Sequence, residues 1–411
     1  MSNSNSPFVS IQVTEFRNYF IARFLFIMGL RMMGTLVGWW MYELTNDPLA
    51  LGLIGLAEVI PAVSMALYAG HVVDQSDRRN LILRSVVAYS LCVLLLLLIS
   101  TAFFFSHFGK TSVVVLAYII IFCTGVIRSF SGPSFGAVIS QLVPKEILPN
   151  AVTWSQGSFL SASVTGHALS GFLIAMLGVT GTLGVIISFI ILSFFIFKTI
   201  SNKPAPPQAD KKTWDSVKEG LHFVFNTKEV LGALTLDLFA VLFGGTVALV
   251  PVFAKDILKV GPIGFGWLNA AADFGAILII ILVTVFPLRK KQGRLLLFVV
   301  AGFGLSIILF GMSKWFWLSF IALFAGGLLD GISMVIRGTI LQLKTPDELR
   351  GRVMSVNSMF INSSNELGMF ESGVAARLMG VVPSVVFGGC ITMAVAAITW
   401  FKAPKLKELE Y

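Results

Sequence analysis

Ten charged side chains interrupt long apolar stretches of this sequence. A charge at the centre of a membrane-spanning helix costs at least ~2.5–3.5 kcal/mol, so such residues are rarely incidental. We expect most of them to face a water-filled cavity or an ionic partner, where they could bind a solute or carry protons. The alternative is a set of static ion pairs that only orient helices. The ten residues are Arg23, Arg31, Glu58, Arg128, Asp237, Asp273, Asp330, Arg337, Glu366 and Glu371.

Depth along the apolar stretches divides these charges into two groups. Counting residues places Arg31, Glu58, Asp273, Asp330 and Glu366 near the middle of their stretches, and the others nearer an end. A carboxyl group in an apolar cavity can exchange protons unless a nearby arginine keeps it charged. Arg31 lies at a depth similar to that of Glu58, so pairing would keep Glu58 charged. Asp273 and Glu366 have no basic residue at matching depth, which makes them the better proton carriers.

His167 is the only histidine well inside an apolar stretch. Histidine titrates near neutral pH and could carry a proton here, although a histidine that serves helix packing is the commoner case. Cys92, Cys123 and Cys390 are scattered, which favours neither a disulfide framework nor a metal site. The chain has no nucleotide-binding signature and no Ser/His/Asp order. We therefore predict no enzyme activity, no cofactor and no metal.

The composition is that of a membrane protein along its whole length. The 411 residues are 56% hydrophobic and 12% charged, with a mean hydropathy of +0.87. Soluble domains carry roughly 25% charged residues, about twice as many. Apolar stretches recur along nearly the entire chain, which excludes a soluble protein with a single anchor. The net charge of +9 is attributed to basic loops at a membrane surface rather than to nucleic-acid binding.

Apolar stretches of about 20 residues match the ~30 Å hydrocarbon core, which a helix crosses at ~1.5 Å per residue. Twelve is the best count, and ten or eleven would follow if a segment is re-entrant. The fold class is thus all-α and polytopic. The predicted spans are residues 19–43, 49–72, 82–106, 113–138, 150–175, 180–199, 230–254, 263–287, 295–313, 315–340, 353–378 and 383–401.

Basic residues predict the orientation. With the N-terminus in the cytoplasm, 21 Lys and Arg residues fall on the cytoplasmic side and five on the outer side. This asymmetry favours both termini inside. Residues 1–18 lack the pattern of a removable signal peptide, so we expect the first apolar stretch to remain as a helix.

A central linker divides the chain into two related halves. Residues 200–229 begin with the Pro-rich, basic segment SNKPAPPQADKK, which is typical of an extended linker. The following TWDSVKEGLHFVF has one apolar face and predicts an amphipathic helix on the membrane surface, unless its periodicity is accidental. Residues 141–159 resemble 342–360, which suggests duplication. The predicted domains are residues 1–199, 200–229 and 230–411.

The loop after the second span carries the sharpest motif, GHVVDQSDRR at residues 70–79. An acid there can meet the positive end of a neighbouring helix, and the arginines can bind carboxylates or lipid phosphate. The segment resembles the signature of the major facilitator superfamily, although Gln75 replaces a basic residue and Asp77 the turn glycine. The resemblance implies a latch on the outward-facing state, formed by Gly70, Asp74, Arg78 and Arg79.

Two further segments resemble the same superfamily. Arg128 in GVIRSFSGPSFGAV is similar to the buried arginine of the family's fourth helix, with Gly132 and Gly136 following. ASVTGHALSGFL resembles the antiporter motif of the fifth helix, with His167 where proline is usual. Over roughly the full length, the chain resembles the bacterial branch of enterobactin-exporter-like and macrolide-efflux-like permeases.

The resemblance implies two six-helix bundles around a central cavity, and alternating access to it. We predict a transporter in the bacterial plasma membrane, acting as a monomer with membrane lipids, protons and a small-molecule substrate as partners. The predicted function is proton-driven export of a siderophore-like chelate or a drug. An uncoupled facilitator or importer, a lipid flippase and a ligand sensor are the alternatives. The predicted substrate or proton-coupling residues are Arg31, Glu58, Arg128, His167, Asp273, Asp330 and Glu366.

Overall fold

The computed structural model describes residues 6–202, 213–286, 291–346 and 348–410. These residues form helices and short connections, and there is no strand among them. Apolar side chains dominate nearly every long helix, as contact with the hydrocarbon of a membrane requires, and each helix satisfies its backbone polar groups internally. The predicted all-α, polytopic fold is confirmed.

Twelve helices of at least 14 residues follow one another within the described ranges. Shorter helical turns occur at Val9–Gln12, Lys145–Ile147, Thr246–Leu249, Val250–Val252, Phe253–Ile257 and Pro404–Lys407. The long helices are α1 (Thr14–Thr45), α2 (Pro48–Gln75), α3 (Arg78–Ile99), α4 (Ala102–Leu142), α5 (Leu148–Lys198), α6 (Thr213–Asn226), α7 (Lys228–Phe243), α8 (Gly261–Val285), α9 (Gln292–Met312), α10 (Phe316–Lys344), α11 (Arg350–Met379) and α12 (Val381–Lys402).

Ten helices of the described part are long and apolar enough to cross a membrane. Two features explain the difference from the twelve predicted spans. Helix α5 breaks at Gly178, whose backbone is not helical and has a φ of 65°, and the predicted spans 150–175 and 180–199 lie on either side of this break. Glycine is suited to this left-handed conformation because it has no Cβ. Helix α11 covers the predicted span 353–378, but it carries too many polar side chains to meet a simple hydropathy criterion.

The chain forms two compact units. The first consists of Met1–Trp40 and Ile60–Asp210, and the second of Met41–Val59 and Lys211–Tyr411. Helices α1 and α2 therefore contribute to both units, because the segment Met41–Val59 packs within the second. The domain boundaries predicted near residues 200 and 230 stay predictions.

An aromatic cluster holds α1, α4 and α5 together in the first unit. The ring centroids of Phe26 and Phe135 are 5.4 Å apart, and those of Phe135 and Phe197 are 5.7 Å apart. The hydroxyl of Tyr19 donates a hydrogen bond to the Phe135 carbonyl at 2.7 Å. This bond satisfies a polar group that is otherwise fully buried, as a tyrosine inside a core requires.

Helix α6 occupies the position of the predicted amphipathic helix. Val224 is buried in the core of the second unit and Leu221 packs against it. Phe225, one position after Val224, is exposed. Trp214 and Val217 have side chains outside the described set. Glu219 forms an ion pair with Arg352, which joins α6 to α11.

Candidate functional site

Each unit carries one cluster of charged side chains inside its long helices. In the first unit, Arg23 and Arg31 lie eight residues apart on α1. A spacing of eight is close to two helical turns, so both side chains fall near one face. That face meets Phe159 of α5, whose ring centroid is 6.0 Å from the Arg23 guanidinium carbon and 5.1 Å from that of Arg31. Both contacts are cation–π interactions.

The two arginines differ in their other partners. Arg23 donates to the Ser155 carbonyl at 3.0 Å and also contacts the Ser155 hydroxyl. The Arg23 Nε is buried without a hydrogen-bond partner among the described residues. Arg31 has the Phe159 ring as its side-chain partner. In the described part of the first unit, neither guanidinium has a carboxylate within ion-pair distance. This face of α1 therefore carries two guanidinium groups that have no carboxylate partner in the described part of the first unit.

Helices α1 and α5 approach closely beside Arg31. A Cβ at Gly166 would lie 2.8 Å from the Arg31 Cβ, so this position leaves no room for a larger residue. One residue further on, the His167 Nδ1 lies 2.6 Å from the Thr35 hydroxyl oxygen. Thr35 in turn hydrogen-bonds the Arg31 carbonyl at 3.0 Å. A hydroxyl has one proton, so while Thr35 donates to that carbonyl, His167 Nδ1 is the donor of the other bond.

Arg128 lies half-buried on α4. The glycines that follow it do not mark a close helix crossing, because a Cβ at Gly132 or Gly136 would meet nothing within 4 Å. This differs from Gly166, where the helices do touch. In this part of the chain, the small residues near Arg128 leave open space rather than bring two helices together.

The second unit contains a buried ion-pair cluster between α7 and α10. Arg337 contacts the Asp237 carboxylate, and its other terminal nitrogen lies 3.8 Å from an oxygen of Asp330. The Arg337 Nε also donates to the carbonyl and hydroxyl oxygens of Ser333, at 3.3 and 3.2 Å. Asp237 and Arg337 are each 5% exposed, whereas the side chain of Asp330 is 40% exposed. One guanidinium thus serves two carboxylates, of which only one is accessible.

Depth counting along the helices missed two of the three charged residues of this cluster. Asp330 was selected from the sequence, but Asp237 and Arg337 were set aside because they lie nearer the end of their stretches. The residues Asp330, Ser333 and Arg337 have the spacing i, i+3, i+7, which places them on one helical face. This spacing could have associated Arg337 with Asp330 from the sequence.

The two predicted proton carriers lie elsewhere in the second unit. Glu366 is buried on α11, and Asp273 is half-buried on α8. Asp273 lies beside a tight crossing of α8 and α10, where a Cβ at Gly275 would overlap the Phe324 carbonyl. Both carboxylates have interactions within the protein. The structure does not bring either of them into the Arg337 cluster.

Glu58 lies half-buried on α2, close to a glycine-mediated contact of the second unit. A Cβ at Gly55 would come within 2.6 Å of the Glu366 carbonyl oxygen. Beyond this contact, Asp47 pairs with Arg377 at 3.3 Å. The N-terminal half of α2 is therefore held firmly against α11.

The predicted latch is only partly described. Gly70 and Asp74 belong to α2, but their side chains lie outside the described set. Arg78 donates to the Ala137 carbonyl at 2.9 Å and Arg79 to the Lys198 carbonyl at 2.8 Å. Asp77, which replaces the family's turn glycine, caps α3 by accepting a hydrogen bond from the Asn80 N–H at 3.1 Å. Asp77 therefore has a structural role of its own, because aspartate is a favoured N-cap.

A metal ion in a protein is held by several His, Cys, Asp or Glu side chains that lie close together. Among the described residues, no group of three or more His, Cys, Asp or Glu side chains has that arrangement. The three cysteines are free thiols. The chemistry available in the two clusters is therefore ion pairing, proton exchange and anion binding.

Long apolar helices that enclose charged clusters define the class of this protein, an integral membrane transporter. The chain belongs to the transmembrane secretion effector family of the major facilitator superfamily, whose family model matches residues 5–411. It is similar to the enterobactin exporter EntS of Shigella flexneri, with 26% identity over 91% of this chain and 88% of that protein. It is also similar to the uncharacterized MFS-type transporter YfiS of Bacillus subtilis (strain 168), with 23% identity over 87% and 85%.

Solved structures support the same fold. The D-xylose-proton symporter matches with a TM-score of 0.74 at 13% identity, over 99% of this chain and 100% of that one. The nucleoside transporter NupG matches with a TM-score of 0.71 at 13% identity, over 95% and 99%. At these identities the likeness shows the fold alone. The family is one of transporters, which confirms the predicted class.

Proposed function

We propose that the protein exports an organic molecule, either a siderophore-like chelate or a drug, in exchange for protons. The similarity to an enterobactin exporter supports export, at 26% identity. The observation that carries proton coupling is the sharing of one intramembrane guanidinium, that of Arg337, between two carboxylates.

The Arg337 cluster provides a physical route to coupling. Two carboxylates and one guanidinium leave one negative charge in excess, and an uncompensated charge inside a membrane protein is costly. When Asp330, the accessible carboxylate, binds a proton, the excess negative charge is neutralised. Arg337 then pairs with Asp237 alone. When Asp330 releases the proton, it competes with Asp237 for Arg337. Proton binding therefore changes the ionic contact between α7 and α10, and it can bias two conformations of these helices.

The guanidinium groups of Arg23 and Arg31 on α1 support a substrate that carries an acidic or an electron-rich aromatic group. Arg23 and Arg31 have no carboxylate partner in the described part of that unit, and Phe159 lies against both. A bound anion would compensate the charge, and an aromatic group could stack on a guanidinium. This arrangement favours an anionic chelate over a neutral drug.

The location and the latch belong to the same proposal. The bias of 21 basic residues against five supports a plasma-membrane protein with both termini in the cytoplasm. The motif at residues 70–79 supports a latch made by Gly70, Asp74, Arg78 and Arg79. We propose a monomer as the transporting form.

The test is transport by the purified protein in lipid vesicles under an imposed pH gradient, with a panel of anionic chelates and hydrophobic drugs. The wild type should accumulate a compound against its concentration gradient. Asp330→Asn should lose accumulation and retain exchange of substrate across the membrane, because the amide cannot release a proton. Glu146→Gln, which changes an exposed carboxylate in the short helix Lys145–Ile147, is the matched control and should behave as wild type.

Three other results of this vesicle experiment would contradict part of the proposal. Full accumulation by Asp330→Asn would show that coupling does not pass through the Arg337 cluster. Equilibration without accumulation by the wild type would establish an uncoupled facilitator. Movement of labelled lipid without movement of any soluble compound would establish a flippase.

A further inference from the structure

A groove between α3 and α5 lies on the surface of the first unit. It encloses a cavity of about 450 Å³. Arg79 and Arg84 of α3 and Lys198 of α5 line one end, whereas Leu91 and Phe194 line the remainder with other apolar side chains. Arg79 is fixed at the basic end by its hydrogen bond to the Lys198 carbonyl. The cavity thus changes from cationic to apolar along its length.

The length of this groove corresponds to one leaflet of a bilayer. Along α3, the lining residues Arg79, Leu83, Val87 and Leu91 repeat every four positions and form one ridge. Twelve residues of helix rise ~18 Å, which is slightly more than half of the ~30 Å hydrocarbon core. Leu91 is exposed at the apolar end, inside a membrane-spanning helix. In a bilayer, this length would place the apolar part of the groove against hydrocarbon and its basic end at the membrane surface.

The second unit has a groove of the same polarity between α7 and α12. This cavity has a volume of about 750 Å³. Lys228, Lys402 and Lys405 line its basic end, and Phe239 and Ile398 are exposed along its apolar part. From Lys228 to Phe239 the helix rises ~16 Å, again close to one leaflet. The two grooves share no residue, so the second is an independent instance of the same arrangement.

We propose that the α3–α5 and α7–α12 grooves each bind an anionic phospholipid, with its phosphate at the three basic residues and an acyl chain along the apolar wall. Charge selects the headgroup, because a basic cluster at the membrane surface attracts anionic lipids over zwitterionic ones. The apolar wall selects a lipid over a soluble anion, which would gain nothing from Leu91 or Phe239. Asp77 caps the start of α3, so binding in the first groove relies on side-chain cations rather than on backbone N–H groups.

The experiment is native mass spectrometry of the full chain in detergent, titrated with phosphatidylglycerol or phosphatidylethanolamine. We expect two phosphatidylglycerol molecules to be retained and phosphatidylethanolamine to be lost. Removing a basic residue should weaken retention about fivefold, so a double variant should lose about 25-fold at one site. The double variants are Arg84→Gln with Lys198→Gln for one groove and Lys402→Gln with Lys405→Gln for the other.

The control variant removes two exposed basic residues outside both grooves, Lys145→Gln with Lys218→Gln, and should retain both lipids. Equal retention of the two phospholipids, or an equal loss in the control, would overturn the proposal. Displacement of phosphatidylglycerol by inorganic phosphate at the same concentration would also overturn it, because the sites would then be simple anion sites. If a double variant misfolds, the single variants Arg84→Gln and Lys402→Gln provide the same test. Each should weaken lipid retention about fivefold.

Discussion

Replacing Arg337 by methionine is expected to destabilise the second unit strongly, whereas neutralising Asp330 is not. Methionine retains the length of the side chain but leaves Asp237, which is 5% exposed, as a buried carboxylate without its cation. Removing one partner of a buried ion pair costs about 3–5 kcal/mol. Asp330 lies 3.8 Å from the guanidinium, and its neutralisation leaves the pair of Arg337 with Asp237 in place, so Asp330→Asn should cost at most about 1 kcal/mol.

These free energies translate into melting temperatures. A domain of 150–250 residues shifts by roughly 2–4 °C per kcal/mol. Arg337→Met should therefore lower the melting temperature of the purified protein by roughly 6–20 °C, and Asp330→Asn by less than about 4 °C. The double variant Asp237→Asn with Arg337→Met should recover at least half of the loss, because no unpaired charge remains at Asp237. Equal melting temperatures for Arg337→Met and Asp330→Asn would refute this reasoning, as would a double variant as unstable as the sum of its parts.

Three further predictions follow from the sequence and concern coupling, the latch and topology. Asp273→Asn and Glu366→Gln should each abolish accumulation driven by a pH gradient while leaving substrate exchange intact in vesicles, and full accumulation by both would exclude them as carriers. Asp74→Asn should slow transport with little loss of folded protein, and a wild-type rate would remove the latch. In a chain without native cysteines, an impermeant thiol reagent applied to intact cells should label Lys314→Cys and not Gln208→Cys; the reverse would invert the topology.

The helices could be predicted from the sequence because each apolar stretch must satisfy its own backbone inside a membrane. The break within α5 could be predicted too, since the predicted spans 150–175 and 180–199 lie on either side of Gly178. Helix α11 was recognised by its length despite its polar residues.

The depth of each charged residue along its helix could be predicted from the sequence, but the side chains that it contacts could not. Counting along a helix gives the height of a side chain, whereas its rotation toward another helix depends on packing between distant segments. Asp237 and Arg337 are a hundred residues apart in the chain, and the sequence around neither residue indicates that the two side chains pair. Arg31 illustrates the same limit, because its aromatic partner Phe159 had no reason to be singled out among 36 phenylalanines.

Close helix contacts depend on glycines whose importance their sequence neighbours do not reveal. Gly132 and Gly136 follow the family-like Arg128, yet they border open space. At the crossing of α2 and α11, by contrast, a Cβ at Gly373 would lie 2.7 Å from the Gly52 Cα. That distance is too short for any real contact, and backbone atoms cannot rotate away as a side chain can.

Gly373→Ala should therefore force α2 and α11 apart and destabilise the second unit by about 1–3 kcal/mol, the usual cost of overpacking. The matched control is Gly338→Ala on α10, where a Cβ would meet nothing within 4 Å. That substitution should be neutral or stabilise by up to about 1 kcal/mol, because alanine restricts the unfolded chain more than glycine does. Thermal unfolding of the two variants in the same detergent provides the measurement. If Gly373→Ala melts at the temperature of Gly338→Ala, the two helices do not touch at Gly52, and the crossing cannot be what holds the segment Met41–Val59 within the second unit.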